Sequence, residues 1–97
     1  MARIAYSTDA LQDLERIIEF LLQAAPEAAS EVVARIRSAA LVLADHPRIG
    51  RRADALRREL VISHGASGYL ALYRYDATLD VVRILRIRHQ REAGYRD

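Results

Sequence analysis

The sequence predicts an α+β fold: an N-terminal strand, an antiparallel two-helix hairpin, then a three-stranded antiparallel sheet. Apolar residues recur at helical spacing in the first half and alternate in the second. Pro47 and Gly50, in "DHPRIGRR", mark the change of period. A helical hairpin laid on one face of an antiparallel sheet is the simplest architecture for that order of elements.

Residues 3–6, "RIAY", are a short extended segment, and "STD" at Ser7 to Asp9 supplies helix N-cap chemistry. From Ala10, the residues Leu11, Leu14, Ile18 and Leu21, supported by Ile17, form an apolar stripe. Gln12, Arg16, Glu19 and Gln23 fall opposite. Pro26 ends this helix and suits the first turn of the next, where its missing N–H is not needed. Ala29, Val32, Val33, Ile36, Ala40 and Leu43 then make a second stripe reaching Ala44. The segment "AAPEAA" leaves little room for a loop, so the two helices should run antiparallel.

Extended segments are expected at 57–64, 69–76 and 79–89, with "GASG" and "DATLD" as the turns between them. Tyr69, Ala71, Tyr73 and Tyr75 alternate with Leu70, Leu72 and Arg74, giving a strand with two different faces. The last strand is irregular. Val82 and Ile84 point one way, and strict alternation would put Arg86 and Arg88 on that same apolar side. Either Arg83 is a buried, paired charge or a bulge near Leu85 shifts the register.

A chain of 97 residues suits one domain spanning 1–97, its tail from about residue 90 loosened at the terminus. With no cysteine, neither a disulfide scaffold nor a thiolate metal site is available. "MARIAYSTDA" lacks the apolar core of a secretory signal, and no apolar run approaches the roughly 20 residues of a membrane span. The expectation is a soluble cytoplasmic protein without membrane association. Charge is more telling. All 15 basic side chains are arginine. Through Pro47 there are four arginines against seven acids (−3); beyond it there are eleven against six (+5). The second half therefore faces an anionic partner, either nucleic acid or an acidic protein segment.

Five stretches in this order carry a resemblance: "ALQDLERIIEFL" after the opening strand, "HPRIGRR", "LRRELVI", "GYLALYRYD" and "VVRILRIRHQRE". Together they resemble the ParE/RelE superfamily of toxins from bacterial type II toxin–antitoxin systems, over nearly the whole chain. The resemblance implies the fold derived above and a cognate antitoxin as partner in a toxin–antitoxin hetero-oligomer. It also implies one of two targets. ParE-like members inhibit DNA gyrase, trapping it on cleaved DNA; RelE-like members cut messenger RNA on the ribosome. The "LRIRHQRE" ending and the absence of a lysine cluster from "RRADALRRELVISH" place this chain closer to ParE.

Cutting RNA through its own 2′-hydroxyl needs a base, an acid and fixed positive charge at the phosphate. Arg57, Arg58, Arg74, Arg83, Arg86 and Arg88 can supply the charge. Arginine stays protonated and does not shuttle protons. The proton carriers near the C-terminus are His89, Tyr95 and Glu92, so the nuclease alternative rests on Arg58, Arg83, His89 and Tyr95. His89 also has an ordinary reading, as a strand-end histidine bonded to backbone. The favoured reading is a non-enzymatic gripping edge for target or antitoxin. It consists of Arg48, Arg51, Arg52, Arg74, Arg83, Arg86, Arg88, His89 and Arg91. His46 and His64 are read as surface residues. No spacing suits a metal, and no cofactor motif such as a glycine-rich phosphate loop is present.

Overall fold

Ser7 opens the first helix as its N-cap chemistry predicts: its hydroxyl oxygen accepts the Ala10 N–H at 3.0 Å. The computed structural model describes residues 1–64 and 67–95; Gly65, Ala66, the side chain of His64, Arg96 and Asp97 lie outside the description. The elements are β1 (Arg3–Tyr6), α1 (Thr8–Ala24), a 3₁₀ turn at Pro26–Ala28 and α2 (Ala29–Asp45). Then follow β2 (Arg51–Arg52), β3 (Arg58–His64), β4 (Ser67–Asp76) and β5 (Val81–His89).

The second helix buries Ala29, Val32, Ile36, Ala40 and Leu43 of the expected stripe, together with Ala44, while Val33 is only half-buried. The first departs from expectation. It buries Ala10, Asp13, Ile17 and Leu21, while Leu11 is 50% exposed and Leu14 only partly covered. The buried face is rotated toward Asp13, because that carboxylate has partners on the sheet.

The sheet is five-stranded and mixed, in the order β1-β5-β4-β3-β2, rather than three-stranded and antiparallel. The antiparallel part is as expected, β3 on β4 and β4 on β5. The two additions are long-range or very short. β1 pairs parallel with β5, Arg3 opposite Val81 through Tyr6 opposite Ile84, with the helical hairpin and β2 to β4 between them in the chain. β2 is two residues pairing with Arg58 and Glu59. The turn into β5 places Asp80 at φ 53°, and the Asp76 carboxylate accepts the Leu79 N–H at 3.1 Å.

The irregular last strand resolves as a bulge. Leu72 stands opposite Arg86 but Tyr73 stands opposite Ile84, so Leu85 is the extra residue. Val82, Ile84 and Ile87 thereby share the helix-facing side with Tyr69, Ala71 and Tyr73. Arg83, Arg86 and Arg88 pair with Arg74, Leu72 and Leu70 on the outer face. The core lies between the helices and the sheet, with Tyr73, Val32, Ile36, Leu43, Ile84 and Ile87 each almost fully enclosed.

Tyr73 also reaches through that core to the loop after α2, where its hydroxyl accepts the buried Gly50 N–H at 2.9 Å. The approach is close: a Cβ at Gly50 would lie 2.7 Å from the Tyr73 ring and 2.9 Å from the Glu59 carbonyl oxygen. This contact pins the segment that carries most of the arginines in the middle of the chain. Among the described residues no helix is long and apolar enough to cross a membrane.

Two outcomes follow from this packing. Ile36→Asp puts a charge where the side chain is 1% exposed and should abolish cooperative folding by circular dichroism. Tyr73→Phe strands a buried N–H and should cost about 1–3 kcal/mol in urea unfolding; unchanged stability would show that the loop is held by other contacts.

Candidate functional site

β1 covers the edge of β5 only as far as Ile84. Beyond it the edge is met by side chains and backbone around α1. The Ser7 N–H donates to the Ile84 carbonyl and the Ser7 hydroxyl to the Leu85 carbonyl, both at 2.9 Å. Asp13 accepts the Ile87 N–H at 2.8 Å and two Arg86 bonds, from Nε at 2.9 Å and Nη2 at 3.2 Å. Its side chain is only 5% exposed. Arg16 lies 3.7 Å from the same carboxylate and pairs with Glu92 at 2.6 Å. A continuous chain of charge, Arg86–Asp13–Arg16–Glu92, ties the end of β5 to α1.

After β5 the chain returns to the outer face, where Tyr95 makes its contacts. The Tyr95 hydroxyl donates to Glu59 at 2.6 Å, and its ring lies 5.2 Å from the Arg88 guanidinium and 5.8 Å from that of Arg86. Glu59, Leu72 and Arg86 form one row across β3, β4 and β5. Tyr95 thus meets the residues at both ends of that row, and Leu72 between them is buried although it faces away from the helices. Arg88 Nη1 donates to the Glu92 carbonyl at 2.5 Å. Burial first, then the bond to Glu59, raise the Tyr95 hydroxyl well above the ordinary tyrosine range. At Glu59 burial pushes the carboxyl up, but hydrogen bonds from Tyr95 and Arg51 outweigh it, and its pKa lies below the usual glutamate value.

The residues of the nuclease alternative are not brought together. Arg58 and His89 stand opposite Tyr73 and Tyr69 on the helix-facing side, whereas Arg83 pairs with Arg74 on the outer face, the face to which Tyr95 binds. The His89 Nδ1 accepts the Arg91 N–H at 3.1 Å, and its ring meets Tyr69 edge-on at 5.2 Å, the ordinary strand-end arrangement. Arg58 donates to the Gly50 carbonyl at 2.8 Å.

The expected gripping edge divides into several settings. Arg86 and Arg88 are taken up in the contacts above, and Arg51 pairs with Glu59 at 2.6 Å. Arg48, Arg52 and Arg74 gather with Arg57 and Arg58 around a depression of about 340 Å³ beside Tyr75. Arg91 and His89 instead belong to an apolar groove of about 620 Å³ at the opposite end of β4. Phe20, Leu21, Ala28, Val32 and Tyr69 line it, with Arg16 and Glu92 at its rim, and Phe20 is 68% exposed. Among the described residues no group of three or more histidines or carboxylates is placed to hold a metal.

Asp13 and Phe20 were not picked out from the sequence. Asp13 had a readable signal: it stands three residues after Ala10 and four before Ile17, inside the apolar spacing of its helix. Phe20 had none, since its importance depends on what the fold brings next to it.

The model of a family described as ParE toxin of type II toxin–antitoxin system, parDE, matches residues 4–94. The chain belongs to the ParE toxin family. This ParE-family toxin is 40% identical over 92 residues to Toxin RelE3 of Caulobacter vibrioides, covering 95% of this chain and 98% of that one. It is 38% identical over 89 residues to Toxin RelE2 of the same organism, covering 92% and 96%. Among solved structures, the chromosomal ParDE toxin–antitoxin system of P. aeruginosa matches with a TM-score of 0.75 at 22% identity, over 92% of this chain and 96% of that one. The RelBE2 complex of Mycobacterium tuberculosis matches with a TM-score of 0.54 at 28% identity, over 92% and 98%. Both ParE and RelE names occur among these relatives, so the target has to be argued from the site.

Removing Asp13 tests the charge chain. Asp13→Ala strands the Arg86 guanidinium and the Ile87 N–H and should cost about 3–5 kcal/mol in guanidinium unfolding; Asp13→Asn, which keeps an acceptor, should cost less. The Glu59 contact carries a pH signature. A carboxylate with a depressed folded pKa adds stability above its unfolded pKa and loses it as pH falls through the folded value. The stability gap between the natural protein and Glu59→Gln should therefore be full at neutral pH and close as the pH falls past the ordinary glutamate range and through the lower folded value. A gap that persists into acid would exclude the ionised Glu59 as its source.

Proposed function

We propose that this ParE-family toxin acts by gripping rather than cutting: it inhibits DNA gyrase and is neutralised by a cognate antitoxin in a hetero-oligomer in the cytoplasm. Residues 1–97 are read as a single toxin domain. The observation that carries this reading is the separation of His89 from Tyr95 by the sheet. A cut through the 2′-hydroxyl needs a base and an acid on either side of one phosphate. His89 faces the helices, and Tyr95 binds on the opposite face. The Tyr95 proton is also committed to Glu59, and its raised pKa makes it a weak acid. The arginines that remain can hold anions but cannot move protons.

The antitoxin follows from the family and from the groove. Solved relatives of this fold are ParDE and RelBE assemblies. In this chain the groove beside Phe20 offers apolar surface with arginines and Glu92 at its rim, a setting for an amphipathic antitoxin segment. A second reading, cleavage of ribosome-bound messenger RNA, is favoured by the RelE names of the 40% and 38% identical relatives.

Purified gyrase separates the two readings. Supercoiling should be blocked with accumulation of cleaved DNA, while messenger on translating ribosomes stays intact, and His89→Ala should still arrest growth. Cut messenger with undisturbed supercoiling would reverse the assignment. Phe20→Asp should leave the melting curve unchanged, the side chain being largely exposed, yet weaken antitoxin capture at least tenfold in a titration.

A further inference from the structure

We propose that the arginine-lined depression between the loop after α2 and the end of β4 is a binding site for the phosphodiester backbone of a nucleic acid. Five arginines, Arg48, Arg52, Arg57, Arg58 and Arg74, surround it, and Asp54 is the one carboxylate in its lining. Arg57 is matched by Asp54 at 2.7 Å. Arg52 and Arg74 have no carboxylate partner among the described residues. Arg83, outside the depression, is the cross-strand neighbour of Arg74 on the outer face. Elsewhere in the fold several arginines are matched by carboxylates, Arg86 by Asp13, Arg16 by Glu92, Arg51 by Glu59 and Arg35 by Glu31. Like charges crowded at one place oppose folding, and at Arg52 and Arg74 no carboxylate among the described residues offsets that cost.

The cluster is also partly organised in advance. Arg58 is held by the Gly50 carbonyl at 2.8 Å, and Gly50 is itself held by Tyr73. Arg48 stacks 4.9 Å above the Tyr75 ring. Guanidinium groups arriving from a loop and from a strand can surround the oxygens of a tetrahedral phosphate, and an arginine fork binds phosphate through paired N–H bonds. An acidic peptide would match the charge but would also bring side chains needing apolar anchorage. That anchorage lies in the groove beside Tyr69, roughly 20 Å away along β4 at about 3.3 Å per residue. The depression therefore fits the phosphate chain. This inference needs only the geometry of the depression, so it survives if gyrase proves not to be the target, and the gyrase reading survives if it fails.

The test is fluorescence anisotropy of the full chain with a short labelled DNA duplex, repeated over a series of salt concentrations. Arg52→Ala with Arg74→Ala should weaken binding at least tenfold and flatten the log–log salt dependence by about two, near 0.9 per lost phosphate contact. Arg3→Ala with Arg37→Ala removes two exposed arginines elsewhere and should change affinity less than twofold. Both pairs are exposed, and equal melting curves would confirm that neither disturbs the fold. Equal weakening by the two pairs would mean attraction by overall charge and would overturn the site. So would failure of the natural chain to bind duplex at low salt, or tighter binding of a polyglutamate peptide that depends on the same two arginines.

Discussion

One buried carboxylate sets the geometry of this domain. Asp13 sits where a helix meets the unfinished edge of a strand, and it serves both a backbone N–H and a guanidinium. A charge in that position is tolerable only when its acceptor sites are filled, so the helix has little freedom to slide or rotate. The pairing of β1 with β5 stops at Ile84, and the helix that follows β1 continues the hydrogen bonding by other means. Sheet edge, helix orientation and the position of the chain after His89 are thus one problem with one solution.

Much of the fold was legible from spacing alone. The cap at Ser7, the stripe of α2, the hairpin at 76–81 and the irregularity at Leu85 are local properties of the chain and are found where the pattern puts them. The parallel pairing of β1 with β5 is not local: nothing in "RIAY" says which strand, some eighty residues on, it will meet. The rotation of α1 was hidden for a related reason. Leu11 looks more apolar than Asp13, and only the partners across the interface reverse their positions.

The candidate site was legible as a composition and not as an arrangement. Arginines crowd the second half of the sequence, yet the fold sends them to different fates. Arg86 and Arg51 are neutralised by carboxylates, Arg88 lies under a tyrosine ring, and Arg52 and Arg74 stay open to an incoming anion. Alternation along a strand assigns a residue to a side. It does not reveal that a distant tyrosine will fold over that side, and Tyr95 read as a frayed end until Glu59 was seen beneath its hydroxyl. Which charges are spent and which stay unspent is decided by the fold.

The brevity of β2 leaves its neighbour in an unusual condition. Among the described residues only Arg58 and Glu59 of β3 are paired on that side, so the stretch from Leu60 to Ser63 presents backbone donors and acceptors that no described strand completes. Val61, 46% exposed, lies along it. Such a margin is a template for any extended polypeptide, including a second copy. A toxin made in excess of its antitoxin would thus face self-association along this border as well as the loss of its inhibitor, and lasting solubility would depend on company.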